Sequence, residues 1–434
     1  MENIPFFTDD TIVFGILLFC LGLVFYTSSI NKGFWKTFYK FIPALLLCYL
    51  LPAIFNSLGI ISPEWQELNA DGILVEKSSK VYYIASRYLL PASLILMTLS
   101  IDLKSIFNLG PKALIMFLTG TIGVIIGGPI AILLISLVSP ETVGGSDFDA
   151  IWRGLSTLAG RWIGGGANQA AMLEIYKYNP EKYGGMVLVD IVVANIWMAI
   201  LLLGIGKSDK IDRWLKADNS AIEALKQKVS SYADSITKNP SLTDYIMMLS
   251  IAFTTVGISH WGASAMSSLL SNNFEVFNDK SSALSSFTSE FFWMITIATA
   301  IGILLSYTKA KKYEGAGASK LGSVFIYILV ATIGMKMDIG KIFENPGLIA
   351  IGLVWMAIHA LLLIGVAKLI KAPYFFLAVG SKANIGGAAS APVVAAAFHP
   401  SLATVGVLLA VFGYVVGTYG AILCTILMQI ASGN

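Results

Sequence analysis

Twelve long apolar segments follow one another along the chain, and most are long enough to cross a membrane as a helix. A helix needs about 20 apolar residues to span the hydrocarbon core of a bilayer. Soluble proteins carry roughly 25% charged residues, whereas this chain has 13% and a mean hydropathy of +0.75. The sequence therefore predicts an all-α polytopic membrane protein. The segments cover residues 11–29, 37–58, 80–101, 112–138, 150–177, 185–206, 242–270, 286–308, 319–336, 347–370, 373–398 and 402–430.

Two of these segments differ from ordinary spans because glycine clusters interrupt them. Segment 150–177 contains Ile163-Gly-Gly-Gly-Ala-Asn-Gln, and segment 373–398 contains Ile385-Gly-Gly-Ala-Ala-Ser. Glycine disfavours a helix by about 1 kcal/mol per residue relative to alanine. In a membrane such a break is tolerated where the backbone is buried in protein or lines a cavity. Both segments are predicted to be re-entrant hairpins with glycine tips.

The two halves of the chain repeat one order of features. The turn Asp102-Leu-Lys-Ser-Ile-Phe resembles Asp338-Ile-Gly-Lys-Ile-Phe, and each turn comes one span before a glycine-broken segment. Between the halves lies the longest polar stretch, which carries seven basic residues. The predicted divisions are a first repeat at 1–206, a cytoplasmic linker at 207–241 and a second repeat at 242–434.

The distribution of Lys and Arg orients the predicted spans. Short cytoplasmic loops are enriched in these residues, so loop 30–40 and the basic linker 207–241 belong inside. Loop 30–40 and the linker can both lie in the cytoplasm only if segment 150–177 returns to the face from which it enters. The result is ten spans and two hairpins, with both termini outside. Each half then has five crossings and the halves run in opposite directions, which is the inverted-repeat plan of many secondary transporters.

Hairpins entering from opposite faces are expected to meet near the midplane, where broken helices expose backbone groups to a substrate. Amides at helix N-termini suit a carboxylate, and side-chain oxygens suit Na⁺. Lys382 is expected either to bind a carboxylate or to act as a tethered cation. The predicted substrate-binding residues are Arg161, Gly164, Gly165, Gly166, Asn168, Gln169, Lys382, Asn384, Gly386, Gly387 and Ser390. The predicted coupling-ion residues are Asn168, Asp190, Asn195, Asn384 and Ser390.

Other ionisable residues in apolar segments have simpler explanations beside a functional one. Arg87 and Glu290 are interpreted as interfacial or paired, and His359 as a packing residue. No catalytic residue, nucleic-acid partner, cofactor or metal other than a coupling Na⁺ is expected. A membrane-embedded enzyme and a channel are the competing classes, but no Gly-x-Ser-x-Gly or His-Glu-x-x-His motif occurs. The sequence leaves open proton coupling in place of Na⁺, and export in place of import.

The glycine motifs give the chain a family resemblance. Gly160-Arg-Trp-Ile-Gly-Gly-Gly-Ala-Asn, Gly380-Ser-Lys-Ala-Asn-Ile-Gly-Gly-Ala-Ala-Ser and the Asp338 turn resemble the YjcL-like family of bacterial integral membrane proteins, a domain of unknown function. More distantly, the plan is similar to the sodium/glutamate symporters and the 2-hydroxycarboxylate transporters.

That resemblance implies a homodimer in the bacterial inner membrane that moves a small molecule by an elevator motion. Those distant families carry Gly-Gly-x-Gly at both hairpin tips, whereas the second tip here is Gly386-Gly-Ala-Ala-Ser. Substrate and sodium coupling are therefore not carried over, and an amino acid, a carboxylate or a short peptide all remain open.

Overall fold

A computed structural model describes residues 4–42, 44–68, 74–99, 106–107, 109–218, 222, 239–274, 287–338, 345–399 and 402–433. Helices make up most of these residues. The longer elements are α1 (Asp10–Ser28), α2 (Gly33–Phe41), α3 (Ala44–Ser57), β1 (Glu64–Leu68), β2 (Leu74–Ser78), α4 (Val81–Leu99), α5 (Pro111–Ser136), α6 (Ile151–Tyr176), α7 (Tyr183–Ile205), α8 (Ser208–Leu215), α9 (Leu242–Asn273), α10 (Glu290–Ser306), α11 (Ala318–Lys336), α12 (Gly347–Leu369), α13 (Tyr374–Asn384), α14 (Gly387–Phe398) and α15 (Ala403–Ala431). Short helical turns lie at Pro140–Val143, Asp147–Asp149 and Lys309–Glu314, and α4 contains a π-helical turn at Ala85–Leu89.

Eight helices within the described residues are long and apolar enough to cross a membrane, which confirms an all-α polytopic membrane protein. They are α1, α4, α5, α7, α9, α11, α12 and most of α15. The predicted span 37–58 corresponds to α2 and α3, which reach the length of a span only as a pair. The predicted span 286–308 corresponds to α10, an apolar helix of 17 residues.

A small antiparallel hairpin, β1–β2, occupies the predicted loop 59–79, with Trp65 opposite Lys77. The sequence gives no sign of it because most of its side chains are exposed, and Trp65 is the buried exception in β1. A strand without a buried face lacks the alternation of apolar and polar residues that would predict it.

Local signals fix several helix starts. Asp9 accepts hydrogen bonds from the backbone N–H groups of Thr11 and Ile12 at 2.8 and 3.2 Å, and these bonds hold the pKa of Asp9 below its ordinary value. Ser241 and Asp244 form a capping box at the start of α9. Each cap satisfies amides that would otherwise lack a partner at the helix terminus.

The helices pack into two groups. The first bundle consists of α1, α3, α4, α9, α10 and α11, and the hairpin bundle consists of α5, α6, α7 and α12 to α15. Residues 10–99 and 242–336 supply the first bundle, and residues 111–205 and 347–431 supply the hairpin bundle. Each half of the chain therefore gives its early helices to one bundle and its later helices to the other.

Part of the proposed repeat falls outside the described residues. These include most of the Asp102 turn (100–105 and 108), residues 339–344 after Asp338, and residues 219–221 and 223–238 of the linker. The boundaries at 1–206, 207–241 and 242–434 stay predictions.

Candidate functional site

Helix α6 is folded back on itself at the first glycine cluster. Gly165 has φ 77° and ψ −166°, outside the helical region. Arg153 Nη1 donates a hydrogen bond to the carbonyl oxygen of Tyr176 at 2.7 Å, although these residues would lie about 35 Å apart on a straight helix. A Cβ atom added to Gly160 would lie 2.5 Å from the Asn168 carbonyl oxygen, so the two arms are in close contact.

The second glycine cluster separates α13 from α14. Gly386 adopts φ 113° at the break, a value that L-residues rarely reach. The distant ends of the two helices meet, since the rings of Tyr374 and Phe398 are 5.8 Å apart. These two hairpins lie within the predicted segments 150–177 and 373–398, and their re-entry into the membrane stays a prediction.

The two hairpins begin at opposite ends of α7. At one end, Lys182 Nζ forms an ion pair with Asp149 Oδ2 at 2.9 Å, immediately before the first hairpin. At the other end, Tyr374 Oη donates to the carbonyl oxygen of Leu201 at 2.9 Å, at the start of the second hairpin. Because α7 has 23 residues, these points are separated by about 30 Å. The glycine tips therefore approach each other from opposite sides.

The tips meet at a cavity of about 580 Å³ between the two bundles. The first bundle contributes residues of α3, α4 and α11, and the hairpin bundle contributes residues of both hairpins, α7 and α15. Among the described residues, three charged ones line the cavity, Arg161, Asp190 and Lys382, and all three belong to the hairpin bundle.

Most of the predicted site residues line this cavity. The predicted substrate-binding residues at its wall are Arg161, Gly165, Gly166, Gln169, Lys382, Gly386, Gly387 and Ser390, and the predicted coupling-ion residues there are Asp190, Asn195 and Ser390. Gly164, Asn168 and Asn384 are not among its lining residues.

The two asparagines next to the tips are bonded within the protein. Asn168 Oδ1 accepts a hydrogen bond from Thr418 Oγ1 at 2.6 Å, and its amide donates to the Gly164 carbonyl oxygen at 2.9 Å. Asn384 Oδ1 accepts from Thr121 Oγ1 at 2.8 Å. Both side chains are fully buried. In this conformation their oxygens hold the hairpins to neighbouring helices, and their role as ion ligands stays a prediction.

Both carboxylate oxygens of Asp190 also have partners within the protein. Its Oδ2 pairs with Arg161 Nε at 3.0 Å, and its Oδ1 accepts from Trp162 Nε1 at 2.9 Å. The side chains of Arg161 and Asp190 are 18% and 5% exposed. Trp162 was not among the predicted site residues, and its position beside Arg161 in the glycine motif is the one sequence signal of its role.

Lys382 is in a different situation. It is 2% exposed, and no described residue forms a hydrogen bond or an ion pair with its amine. Two other lining residues, Gln169 and Ser390, have a buried amide nitrogen and a buried hydroxyl without a partner among the described residues. Buried polar groups are normally bonded. These three groups therefore have the capacity to bind a ligand or water.

Gly386 keeps this part of the cavity open. A Cβ atom added at Gly386 would lie 3.3 Å from Lys382 Nζ and would overlap with Ser390 Oγ. The amine and the hydroxyl thus face the same small space, which any side chain at position 386 would fill.

His359 is buried in a complete hydrogen-bond chain. Its Nδ1 lies 3.0 Å from the Gly120 carbonyl oxygen, its Nε2 lies 2.8 Å from Ser381 Oγ, and Trp197 Nε1 donates to that hydroxyl at 2.7 Å. Because a carbonyl only accepts, Nδ1 carries the proton and Nε2 accepts from Ser381. A neutral ring satisfies every contact, which supports the interpretation of His359 as a packing residue.

The other intramembrane charges lie apart from the cavity. Arg87 pairs with Glu174 at 3.1 Å and lies over the ring of Phe291 at 4.3 Å. Glu290 is exposed in the first turn of α10, where an acidic residue complements the helix dipole. Both have structural explanations.

Comparison with known proteins identifies a family and a membrane-protein relative. A family model described as "Protein of unknown function (DUF819)" matches residues 15–430. The chain belongs to the DUF819 family. The chain is similar to the uncharacterized membrane protein YjcL of Bacillus subtilis (strain 168). The two sequences are 23% identical over 353 residues, which cover 79% of this chain and 82% of YjcL. The resemblance to YjcL-like proteins is confirmed, and the cavity lies in the part of this DUF819 chain that the family model covers.

Proposed function

We propose that this DUF819 protein is a secondary transporter for a small organic anion, and that it works by an elevator motion rather than as an enzyme. The observation that carries the proposal is the position of the cavity between two helix bundles, with its three charged lining residues on one of them. A substrate held by those residues would move with the hairpin bundle when that bundle slides along the other.

The exchange of helices between the halves supports the inverted-repeat part of the proposal. Each half gives its early helices to the first bundle. It gives its hairpin, together with the span before it and the span after it, to the hairpin bundle. Two repeats of opposite orientation, packed around an axis in the membrane plane, produce this arrangement. In such transporters the substrate site lies where discontinuous helices meet near the midplane.

The chemistry of the wall supports an anionic substrate. Two basic groups and one acidic group line the cavity, and the acidic group is paired with Arg161. The remaining amine, together with the free donors at Gln169 and Ser390, suits a carboxylate. A volume of about 580 Å³ falls within the range of about 300–1,000 Å³ that is usual for small-molecule sites.

The wider setting of this proposal comes from the sequence. We propose a homodimer in the bacterial inner membrane, surrounded by lipid, with the linker in the cytoplasm and both termini outside. Sodium ions were the predicted coupling ion and protons the alternative, and at this step both remain candidates.

Transport is tested with the purified full-length chain in liposomes, because a secondary transporter moves solute against its gradient when an ion gradient is imposed. We expect saturable uptake of a small carboxylate that follows an imposed Na⁺ or proton gradient. Lys382→Met should abolish it, whereas Lys368→Met, which removes an exposed lysine above Trp214, should not. Flux that rises linearly with concentration and ignores both gradients would indicate a channel, and no flux of any solute tested would reject transport.

A further inference from the structure

We propose that Lys382 is the resident cation of the cavity, and that the substrate is a monocarboxylate with an apolar body and no amino group, bound without Na⁺. This proposal rests on the transport function above and names its substrate class. It departs from the sequence prediction of sodium coupling. The argument uses the charge balance of the wall, the unsatisfied donors and the apolar lining.

The charge balance leaves Lys382 without a counter-ion. Asp190 is the acidic residue of the described cavity wall, and its two oxygens are taken by Arg161 and Trp162. His359 contacts Ser381, the residue before Lys382, and belongs to a complete neutral network. A buried ammonium without a partner is strongly unfavourable. One carboxylate entering the cavity would relieve that cost and leave the site neutral.

The unsatisfied donors complete a carboxylate site. A carboxylate has two oxygens with about four acceptor positions. Lys382 offers a charged donor, Ser390 Oγ faces the same space across Gly386, and the Gln169 amide nitrogen has no partner among the described residues. Three donors of different residues fit one planar carboxylate better than a neutral ligand, since bonds to an ionised acceptor are the stronger ones.

The rest of the wall describes the body of the substrate. Between the charged groups it is largely aliphatic and aromatic, and it includes Leu45, Met97, Ile191, Met198, Ile326 and Val330. An ammonium group on the substrate would add a positive charge beside Lys382, and the negative charge of Asp190 is already paired with Arg161. A second carboxylate would leave one negative charge uncompensated. A monocarboxylate with an apolar body has neither an amino group nor a second carboxylate and therefore fits the cavity.

The same groups do not fit a sodium ion as they stand. Of the five predicted ion ligands, Asn168, Asn384 and Asp190 have oxygens that accept hydrogen bonds from the protein. Ser390 Oγ faces the same space as the Lys382 amine, which leaves Asn195 as the remaining predicted ligand in the wall. With Arg161 paired to Asp190, an added Na⁺ would join an amine of the same charge. Lys382 already supplies the positive charge that a coupling cation would bring to a bound carboxylate.

The test measures binding to the purified full-length protein by isothermal titration calorimetry, in sodium chloride and in choline chloride. The probe is isocaproate, which has the carbon skeleton of leucine without the amino group. Leucine and isocaproamide are the matched controls, since one adds an ammonium and the other removes the charge. We expect equal isocaproate affinity in both salts and much weaker binding of both controls.

Variants locate the binding to this site. Lys382→Met should weaken isocaproate binding by about 10- to 100-fold, the range for a bond to a charged group, while Lys368→Met keeps the original affinity. Ser390→Ala and Gln169→Leu should each weaken it by a smaller factor, and they carry the test if Lys382→Met does not fold.

Several results would overturn the proposal. These are no isocaproate binding, binding that requires Na⁺, tighter binding of leucine, or Lys382→Met and Ser390→Ala proteins that bind as well as the original. Saturable uptake of an amino acid with Na⁺ would reject this substrate class and leave the transport function standing. Isocaproate binding without any flux would instead reject transport while keeping the site.

Discussion

Asp190 and Lys382 lie in the same cavity wall, yet their surroundings give them opposite parts. Asp190 holds two donors of its own neighbourhood, Arg161 and Trp162, and so fixes the first hairpin to α7. Lys382 holds none among the described residues. A buried charge with a complete set of partners is structural, whereas one without partners is available for a ligand. The sequence predicts a ligand-binding role for each residue, Asp190 for the coupling ion and Lys382 for the substrate, and the structure supports such a role more strongly for Lys382.

The Arg161–Asp190 pair gives a prediction about stability. Asp190→Asn removes the negative charge and leaves the Arg161 guanidinium buried beside a neutral amide. Breaking a buried pair by removing one partner costs about 3–5 kcal/mol, so a large fall in the thermal unfolding temperature in detergent is expected.

The matched control is the exposed pair Lys77–Glu67, whose side chains are 52% and 36% exposed. Glu67→Gln should change stability by about 1 kcal/mol or less. Equal effects of Asp190→Asn and Glu67→Gln would show that the Arg161–Asp190 pair is not a structural contact.

Individual site residues could be predicted where the sequence around them is unusual. Arg161 and Lys382 stand out because a charge beside glycines in an apolar segment is rare. Trp162, Ser381 and Thr418 could not be identified, because their roles depend on partners far away in sequence. Asn168 and Thr418, for example, are bonded across 250 residues.

Some secondary-structure elements could be predicted from the sequence and others could not. The glycine clusters predicted both hairpins to within a few residues, because a helix break is a local property of the backbone. The β1–β2 hairpin was missed, since its exposed strands have no apolar face. The predicted span 37–58 is divided into α2 and α3, and Pro43, which stands between them in the sequence, is the signal that could have marked the division in advance, because helices usually end before a proline.

The crossing of α6 and α15 gives a prediction at the scale of elements. Gly164 and Gly417 lie at this crossing, and a Cβ atom added at Gly417 would come within 2.9 Å of the Gly164 backbone nitrogen. Backbone cannot move aside as a flexible side chain can. Gly417→Ala should therefore destabilise the protein by about 1–3 kcal/mol, the usual range for overpacking.

Gly420→Ala on the same helix is the control, because the atoms nearest to its added Cβ belong to the side chains of Ile163 and Ile125, at 3.3 and 3.5 Å. Thermal unfolding compares the two variants. If Gly417→Ala were as stable as Gly420→Ala, the close crossing of α6 and α15 would be wrong.

The orientation of the whole molecule is testable by cysteine labelling. Glu181 and Lys210 are exposed and lie beyond opposite ends of α7. Glu181→Cys should react with a membrane-impermeant maleimide from outside intact cells, and Lys210→Cys only after permeabilisation. The native Cys20, Cys48 and Cys424 are buried and should react slowly. The reverse labelling pattern would invert the predicted orientation.

The sliding of one bundle along the other gives the last prediction. Thr299 of α10 and Thr418 of α15 face each other across the two bundles, with hydroxyl oxygens 3.3 Å apart. If the hairpin bundle moves during transport, a disulfide in the Thr299→Cys, Thr418→Cys protein should stop uptake into liposomes, and reduction should restore it.

A cross-link within the first bundle tests whether the arrest is specific. Asp10 of α1 accepts a hydrogen bond from Ser79, just before α4, at 2.7 Å, so a disulfide in the Asp10→Cys, Ser79→Cys protein joins parts that are expected to move together. Uptake should continue when this disulfide is formed. Continued uptake with the α10–α15 disulfide fully formed would rule out the sliding of the bundles while leaving the cavity and its ligand untouched, because the cross-link lies between helices and not at the charged wall.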